Sequence, residues 1–335
     1  MLRGLTEVEH VQVDGGPNLV CHWPRQGGIW RRGDEILVGY IESPCEYKDP
    51  QEVGHGLEGI WKRGYVRLRR SLDGGMTWAD AGKLFANSLP LEEQRRILHL
   101  DDYSLDDING PGGPEREMID MTSPDAIVMM GRAFCDPESK RAHGTAYRGH
   151  TAYSFRSPDR GRLWEEVPSI IRPNHTRGVI EGGNNCLKMG GARLICWVVG
   201  CGEPEAVSER GRELCSPQLY ASEDHGVTWD FYSEIYYDTT GRAGASYPYI
   251  TVLPSGRWLC FLGAKFLPTP RDIRWTSLCV SDDEGLNRSE PRRIHSWSVS
   301  PFPILLDDGR LVMIYMRRVP DPTGLYGIVS EDEGL

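Results

Sequence analysis

Nine residues along the chain are of the types that grip or cleave a polar substrate: Trp23, Arg25, Asp49, Arg116, Asp120, Arg177, Glu181, Tyr247 and Arg317. Guanidinium forks match a carboxylate bidentately. A carboxylate beside a phenol can take the phenolic proton and leave the oxygen nucleophilic. A second set of acids, Asp73, Asp159, Asp224, Asp283 and Asp332, shares one repeated local setting, which argues for a structural role.

That setting is a short motif: SLDGGMTW at 71 to 78, SPDRGRLW at 157 to 164, SEDHGVTW at 222 to 229, SDDEGLNR at 281 to 288 and SEDEGL at 330 to 335. Its pattern, Ser-x-Asp-x-Gly-x-Thr-Trp, suits a hairpin turn. The Asp side chain accepts backbone N–H bonds in an Asx-type turn, and Gly takes the positive φ that a Cβ resists. Around each motif the order recurs: apolar strand, Gly-containing turn, second apolar strand, variable loop, third strand, motif. SYPYITVLP, SGR, WLCFLGAK and WTSLCVSDDEG show it in one unit, and SPFPILLDDGRLVMIYMRR and LYGIVSEDEG in the next. NLVCHWPRQGGIW and DEILVGYIES begin the first unit. Units of this size read as four-stranded propeller blades, with the fourth strand after the motif. The motif aspartates are separated by 86, 65, 59 and 49 residues, so the extra length sits in loops of the early blades, where function is usually carried.

If the motif joins third strand to fourth, the motifs lie at one end of the propeller. The second-to-third loops and the starts of the first strands lie at the other. To that second end the sequence assigns Trp23 and Arg25 entering blade one, Asp49, His55 and Glu58 in its long loop, and Arg116 and Asp120 entering blade two. Arg148 and His150 in blade two, Arg177 and Glu181 entering blade three, Tyr247 entering blade four, and Arg317 and Arg318 in blade five complete the set. Tyr247 and Tyr249 alternate with Ser246 and Pro248 along one strand, and one of the two reads as core packing.

The repeated motif resembles the Asp-box, or BNR repeat, of the sialidase superfamily. The resemblance implies an all-β fold, a six-bladed propeller spanning residues 1–335 as one domain, of which five motif-bearing blades are visible and a C-terminal blade is missing. A five-bladed ring closed by EVEHVQV, 7 to 13, is the other reading. The resemblance further implies three arginines gripping a substrate carboxylate, which here fall on Arg25, Arg177 and Arg317. It implies a Glu-activated tyrosine nucleophile, Glu181 with Tyr247, and an acid/base aspartate, Asp49. The family's Phe/Tyr-Arg-Ile-Pro segment differs here, since in HWPRQGGIW the arginine follows the proline. The implied activity is exo-hydrolysis of a terminal, acidic sugar from a glycan. A noncatalytic glycan- or protein-binding propeller, or a glycosidase or lyase for another acidic sugar such as a uronic acid, is the alternative.

Composition bounds these readings. An apolar fraction of 39% is enough for a sizeable core, and 39 Gly with 23 Pro disfavour a helical protein. A net charge of −10 without a basic run argues against nucleic acid as a partner. No stretch approaches the roughly 20 apolar residues of a membrane span, and the N-terminus lacks the apolar core of a signal peptide; the chain as given reads as not exported, a secreted parent remaining open. The nine cysteines lack metal-ligand spacing, several sit in apolar runs, and they read as reduced core thiols. His55, His143 and His150 show no HExxH spacing, so no metal and no cofactor are expected. Asp101, Asp102, Asp106 and Asp107 read as a solvated acidic loop.

Overall fold

The computed structural model describes residues 9–22, 28–49, 65–85, 89–134, 150–172, 174, 178–181, 186–201, 215–240, 243–266, 275–317 and 322–332. Blade 1 contains β1 (Leu19–His22), β2 (Gly28–Arg32), β3 (Glu35–Pro44), β4 (Val66–Ser71) and β5 (Ala79–Leu84). A short helix, α1 (Leu91–Ile97), precedes blade 2, which contains β6 (Ile127–Phe134), β7 (His150–Ser157) and β8 (Ser169–Ile171). Blade 3 contains β9 (Gly178–Glu181), β10 (Cys186–Gly190), β11 (Arg193–Cys201), β12 (Cys215–Ser222) and β13 (Asp230–Glu234). Blade 4 is β14 (Ala243–Val252), β15 (Trp258–Phe266), β16 (Trp275–Ser281) and β17 (Arg292–Ser296); blade 5 is β18 (Val299–Leu305), β19 (Leu311–Arg317) and β20 (Gly324–Ser330). Each blade is an antiparallel sheet of consecutive strands. In blades 1 and 3 the first strand comes in two pieces, β1 with β2 and β9 with β10, both pieces pairing with the second strand.

The molecule is therefore a five-bladed propeller, and the expectation of a six-bladed ring lacking its C-terminal blade is corrected. Blade number is set by how many sheets pack around the axis, and five turn motifs accompany five sheets; the sixth came from the family resemblance alone. Of the segment 7–13, to which a closing role was given, residues 7 and 8 lie outside the described residues. Residues 9–13 form no strand, and Asp14 just after them is tied to blade 1, accepting hydrogen bonds from Tyr40 and from Arg69 Nε at 2.9 Å.

The apolar strands are apolar on both faces because each inner blade is covered twice. Along β11, Leu194, Cys196 and Val198 join Val128 and Met130 of blade 2, whereas Ile195 and Trp197 join Ile250, Trp258 and Cys260 of blade 4. This is a period of two, each face buried against a different neighbour. Between blades 4 and 5, Leu259, Phe261 and Leu278 meet Leu311, Met313 and Tyr315. Between blades 1 and 2, Phe85, Met129, Tyr153 and Phe155 form an aromatic cluster, with Phe85 edge-on to Tyr153 at 4.8 Å. Each fully buried side chain of this size contributes roughly 1.5–3 kcal/mol. Cys196, Cys260 and Cys279 belong to the same cores, with Cys186 packed against them, and burial pushes the Cys186 and Cys279 thiols up to about 12, away from reactive thiolate.

The Ser-x-Asp-x-Gly motif joins third strand to fourth in blades 1, 3 and 4, and in blade 2 it joins β7 to β8, the last two of the three described strands. In every copy the serine hydroxyl donates to the aspartate, from 2.5 Å at Asp332 to 3.0 Å at Asp159. The same serine oxygen accepts from the motif glycine N–H at 2.7–2.8 Å in blades 1 to 4. Thr77 and Thr228 donate to the second carboxylate oxygen at 2.6 Å; Asn287, which replaces threonine in the fourth copy, does so through Nδ2 at 2.7 Å. The residue before the glycine is left-handed in four copies: Gly74 (φ 72°), Arg160 (62°), His225 (61°) and Glu284 (58°). Three of these carry side chains that reach the preceding blade. Arg160 pairs with Glu35 at 2.6 Å, His225 Nδ1 accepts from the Met121 N–H at 3.1 Å, and Glu284 pairs with Arg193 at 2.9 Å. The motif aspartates are thus structural turn formers whose turns also bolt each blade to the last.

Candidate active site

The strand register fixes which end is free for chemistry. In β19, Leu311 pairs with the motif residue Ser330, and Arg317 pairs with Gly324 at the other end. In β16, Ser281 opens the motif, and Trp275 at the far end pairs with Ser296 of β17.

Toward that far end the first strands of blades 3, 4 and 5 are bulged against their second strands. In blade 4 the ladder jumps from Ser246↔Gly263 to Tyr249↔Phe261. In blade 5 it jumps from Val299↔Met316 to Phe302↔Ile314, and in blade 3 from Val179↔Gly200 to Glu181↔Val199. Tyr247 (φ 53°) and Ser300 (φ 52°) stand at the same place in successive bulges, each followed by a proline, Pro248 and Pro301. A left-handed conformation in a residue bearing a Cβ costs about 1–2 kcal/mol, and bulges beside active sites re-aim side chains. Gly263 makes room for the tyrosine: a Cβ there would stand 3.0 Å from Tyr247 Cδ2 and 3.2 Å from the Ser246 carbonyl oxygen. β14, which carries Tyr247, lies against β18 of the next blade and β12 of the preceding one.

At the same end a cleft of about 400 Å³ opens between blades 4 and 5, lined by Arg293, Ile294, His295, Ser296, Trp297, Tyr315 and Arg317. Arg293 stacks over the Trp275 ring at 4.8 Å and donates to Ser296 Oγ at 2.5 Å. The His295 ring lies 4.6 Å from Tyr315, and the Arg317 guanidinium stands over Tyr326 at 5.7 Å. Burial, then the positive charge of Arg317, lowers the His295 pKa, so the imidazole is neutral near pH 7. Trp297 sits at φ 63° with 38% of its surface exposed.

Of the residues singled out in the sequence, Arg317 lines this cleft and Tyr247 occupies the bulge of β14. The backbone of Glu181 ends β9, beside the corresponding bulge of blade 3. Asp49 is exposed, five residues beyond the end of β3. Arg116 and Asp120 are engaged on the motif side. Arg116 donates to the Pro168 carbonyl at 2.7 Å and to Ser169 Oγ at 2.8 Å, and lies 3.4 Å from Glu165. Asp120 accepts from Thr122 at 2.6 Å and lies 3.8 Å from His225 of the third motif. Trp23, Arg25 and Arg177 lie outside the described residues, as do His55, Glu58, Arg148 and Arg318. In the acidic loop, Asp106 pairs with Arg172 at 2.5 Å and Asp101 with Arg95 at 3.2 Å. Among the described residues no group of three His, Cys, Asp or Glu is arranged to hold a metal ion, and no helix is long and apolar enough to cross a membrane.

Arg293, His295, Trp297 and Tyr315 escaped the sequence reading. For the first three the signal was the run RRIHSWSVS at 292 to 300, where cationic and aromatic residues crowd a strand and its exit.

No family model matches the chain, and no curated protein matches it. Solved structures do share its architecture. A protein of unknown function from Dyadobacter fermentans has a TM-score of 0.58 at 18% identity, covering 95% of this chain and 82% of that one. A Hadza microbial sialidase has a TM-score of 0.57 at 15% identity, covering 93% of this chain and 57% of that one. The GH93 alpha-L-arabinofuranosidase of Fusarium graminearum, solved with arabinobiose, has a TM-score of 0.51 at 11% identity, covering 91% and 92%. What is shared is the propeller fold. A sialidase and an arabinofuranosidase stand side by side in that likeness, so it does not single out the sialidases to which the repeat was likened.

Proposed function

We propose that the protein is a glycoside hydrolase working at the end of the propeller opposite the motif turns, on a terminal sugar of a glycan. The observation that carries this reading is the backbone at Tyr247. A bulky residue is held left-handed before a proline, in a strand bulge, with a glycine opposite to accept its ring. Strain of this kind persists where the surrounding structure over-determines it, and it clusters at functional sites. The arabinofuranosidase and the sialidase that share the fold are glycosidases by name, which favours the same reaction class here.

In this reading Glu181, on the neighbouring blade, takes the phenolic proton of Tyr247, whose oxygen attacks the anomeric carbon as the aglycone leaves. Asp49 protonates the departing oxygen and then, as a base, activates the water that releases the sugar from tyrosine. An acidic sugar is the finer assignment, with Arg317, Arg25 and Arg177 as the proposed grips.

The test is a hydrolysis screen with aryl glycosides of neutral sugars, uronic acids and sialic acid, run on the chain and on Tyr247→Phe, Glu181→Gln and Asp49→Asn. Cleavage of one sugar, reduced about 10²–10⁴-fold in each variant, is the expected result. Folded protein that cleaves none of them, or variants that cleave at the unaltered rate, would overturn the reading.

A further inference from the structure

The fourth turn motif departs from the others at its last position. Where the first three copies carry Trp78, Trp164 and Trp229, the fourth carries Arg288. In those three the indole lies against the motif glycine, and Trp78 Nε1 donates to the Gly75 carbonyl at 2.8 Å. Arg288 keeps that contact, its Nη2 donating to the Gly285 carbonyl and to Ser233 Oγ at 2.7 Å. A cation therefore stands in the place of an aromatic ring, beside the apolar core that joins blades 3 and 4.

Among the described residues the Arg288 guanidinium forms no ion pair. Its hydrogen bonds go to Ser233 and to two backbone carbonyls, and Nη1 is buried with no partner. Two carboxylates act on it from further away, and both are engaged: Asp283 by Ser281 and Asn287 in the turn, Glu234 by Ser216 and Gln218. Burial lowers the Arg288 pKa, as it does for any cation stripped of water. A desolvated charge without a counter-charge is costly.

Arg288 also bounds a cavity of about 20 Å³, whose wall includes Leu219 of blade 3, Trp258 of blade 4 and the cysteines Cys260 and Cys279. The two cysteines stand opposite one another in the ladder of β15 and β16. Burial raises both thiols, Cys279 to about 12, so both stay protonated. Ser281, also in the wall, already donates to Asp283 and accepts from the Gly285 N–H. The side-chain groups left to the cavity are therefore donors, one guanidinium nitrogen and two S–H groups. A water held by donors alone leaves its own hydrogens unpaired, whereas an anion uses donors only and cancels the charge as well. The volume suits a particle the size of one water molecule, which excludes a carboxylate or a sulfate.

We infer that this cavity is a binding site for a single halide ion, held by Arg288 and the Cys260 and Cys279 thiols at the interface of blades 3 and 4. It lies toward the motif end of β15 and β16, whereas Tyr247 lies beside Gly263 at the other end, so the site is independent of the hydrolase reading.

The test is thermal unfolding of the whole chain in mixtures of sodium chloride and sodium gluconate at constant ionic strength, gluconate being too large for the cavity. The midpoint is expected to rise by about 2 °C for each tenfold increase in chloride above the dissociation constant. Bromide should act likewise. Arg288→Met removes the charge, and Arg288→Trp restores the indole of the other motifs; in both the midpoint should be indifferent to chloride. A midpoint of the unaltered chain that ignores chloride would overturn the site and leave the cavity to water. A chloride response undiminished in both variants would be a general ion effect and would overturn it too. Crystals of the unaltered chain soaked in bromide locate the ion without any variant: an anomalous peak beside Arg288 is expected, and bromide peaks only elsewhere would refute the assignment.

Discussion

Tyr247 and Ser300 occupy the same position in successive blades: each is left-handed, each precedes a proline, and each sits in the bulge between the first and second strands of its sheet. The conformation recurs with two different side chains in it. At Ser300, therefore, the strain can be probed without touching the tyrosine. Ser300→Val is expected to destabilise the protein by about 1–2 kcal/mol, because a branched Cβ resists positive φ. Ser300→Gly should be neutral or slightly stabilising, relief of strain being offset by unfolded-chain entropy. Urea unfolding midpoints of the two variants measure the difference.

Gly263 is the space that Tyr247 needs. Gly263→Ala puts a methyl group 3.0 Å from Tyr247 Cδ2 and against the backbone oxygen of Ser246, which cannot swing aside. The expected cost is about 1–3 kcal/mol of overpacking. Hydrolysis should fall by more than stability accounts for at temperatures where the variant is fully folded. Thermal melting and turnover, measured on one preparation, test both parts.

Glu165 is the hinge of a buried ion network between blades 2 and 3. It receives Arg156 through Nε at 3.1 Å and Nη2 at 2.7 Å, and Arg116 lies 3.4 Å away; the Arg156 side chain also reaches the His225 carbonyl at 3.2 Å. Glu165→Ala leaves a fully buried guanidinium without its partner and should cost about 3–5 kcal/mol. Glu165→Gln, which keeps an acceptor, should cost less. Chemical denaturation of the two variants gives the comparison.

The turn motifs predict an acid limit to stability. Hydrogen bonds from the Thr77 side chain, then its backbone, hold the Asp73 carboxyl at about 2. Asn287 lowers Asp283 in the same way, and in Asp224, where burial acts in the opposite sense, bonds from Thr228 and Ser222 still prevail. A carboxyl whose folded pKa lies below its unfolded value of about 3.9 stabilises the fold above that value. The contribution is lost as pH falls through the folded pKa. Unfolding midpoints should therefore decline between about pH 4 and pH 2, and the decline should be shallower in Asp73→Asn, which has no charge to lose.

The sequence by itself determined the blade and its turn. Ser71, Asp73, Gly75 and Thr77 close their hydrogen bonds within seven residues, so nothing distant is needed to specify them, and the motif can be read copy by copy down to the substitution of Asn287 for threonine. The apolar run LICWVV of β11 was legible as core in the same way, and it is buried along its whole length. The tertiary structure decided everything that depends on which blades meet. It set the ring at five blades. It turned Arg116 toward Glu165 and Asp120 toward the third motif, although the sequence assigned both to the opposite end. It also joined Arg293 and Trp297 to Arg317 across a blade boundary. Local hydrogen bonds are encoded by neighbours in the chain, whereas a cleft between sheets depends on side-chain packing between residues twenty or more positions apart, and no short pattern carries that information.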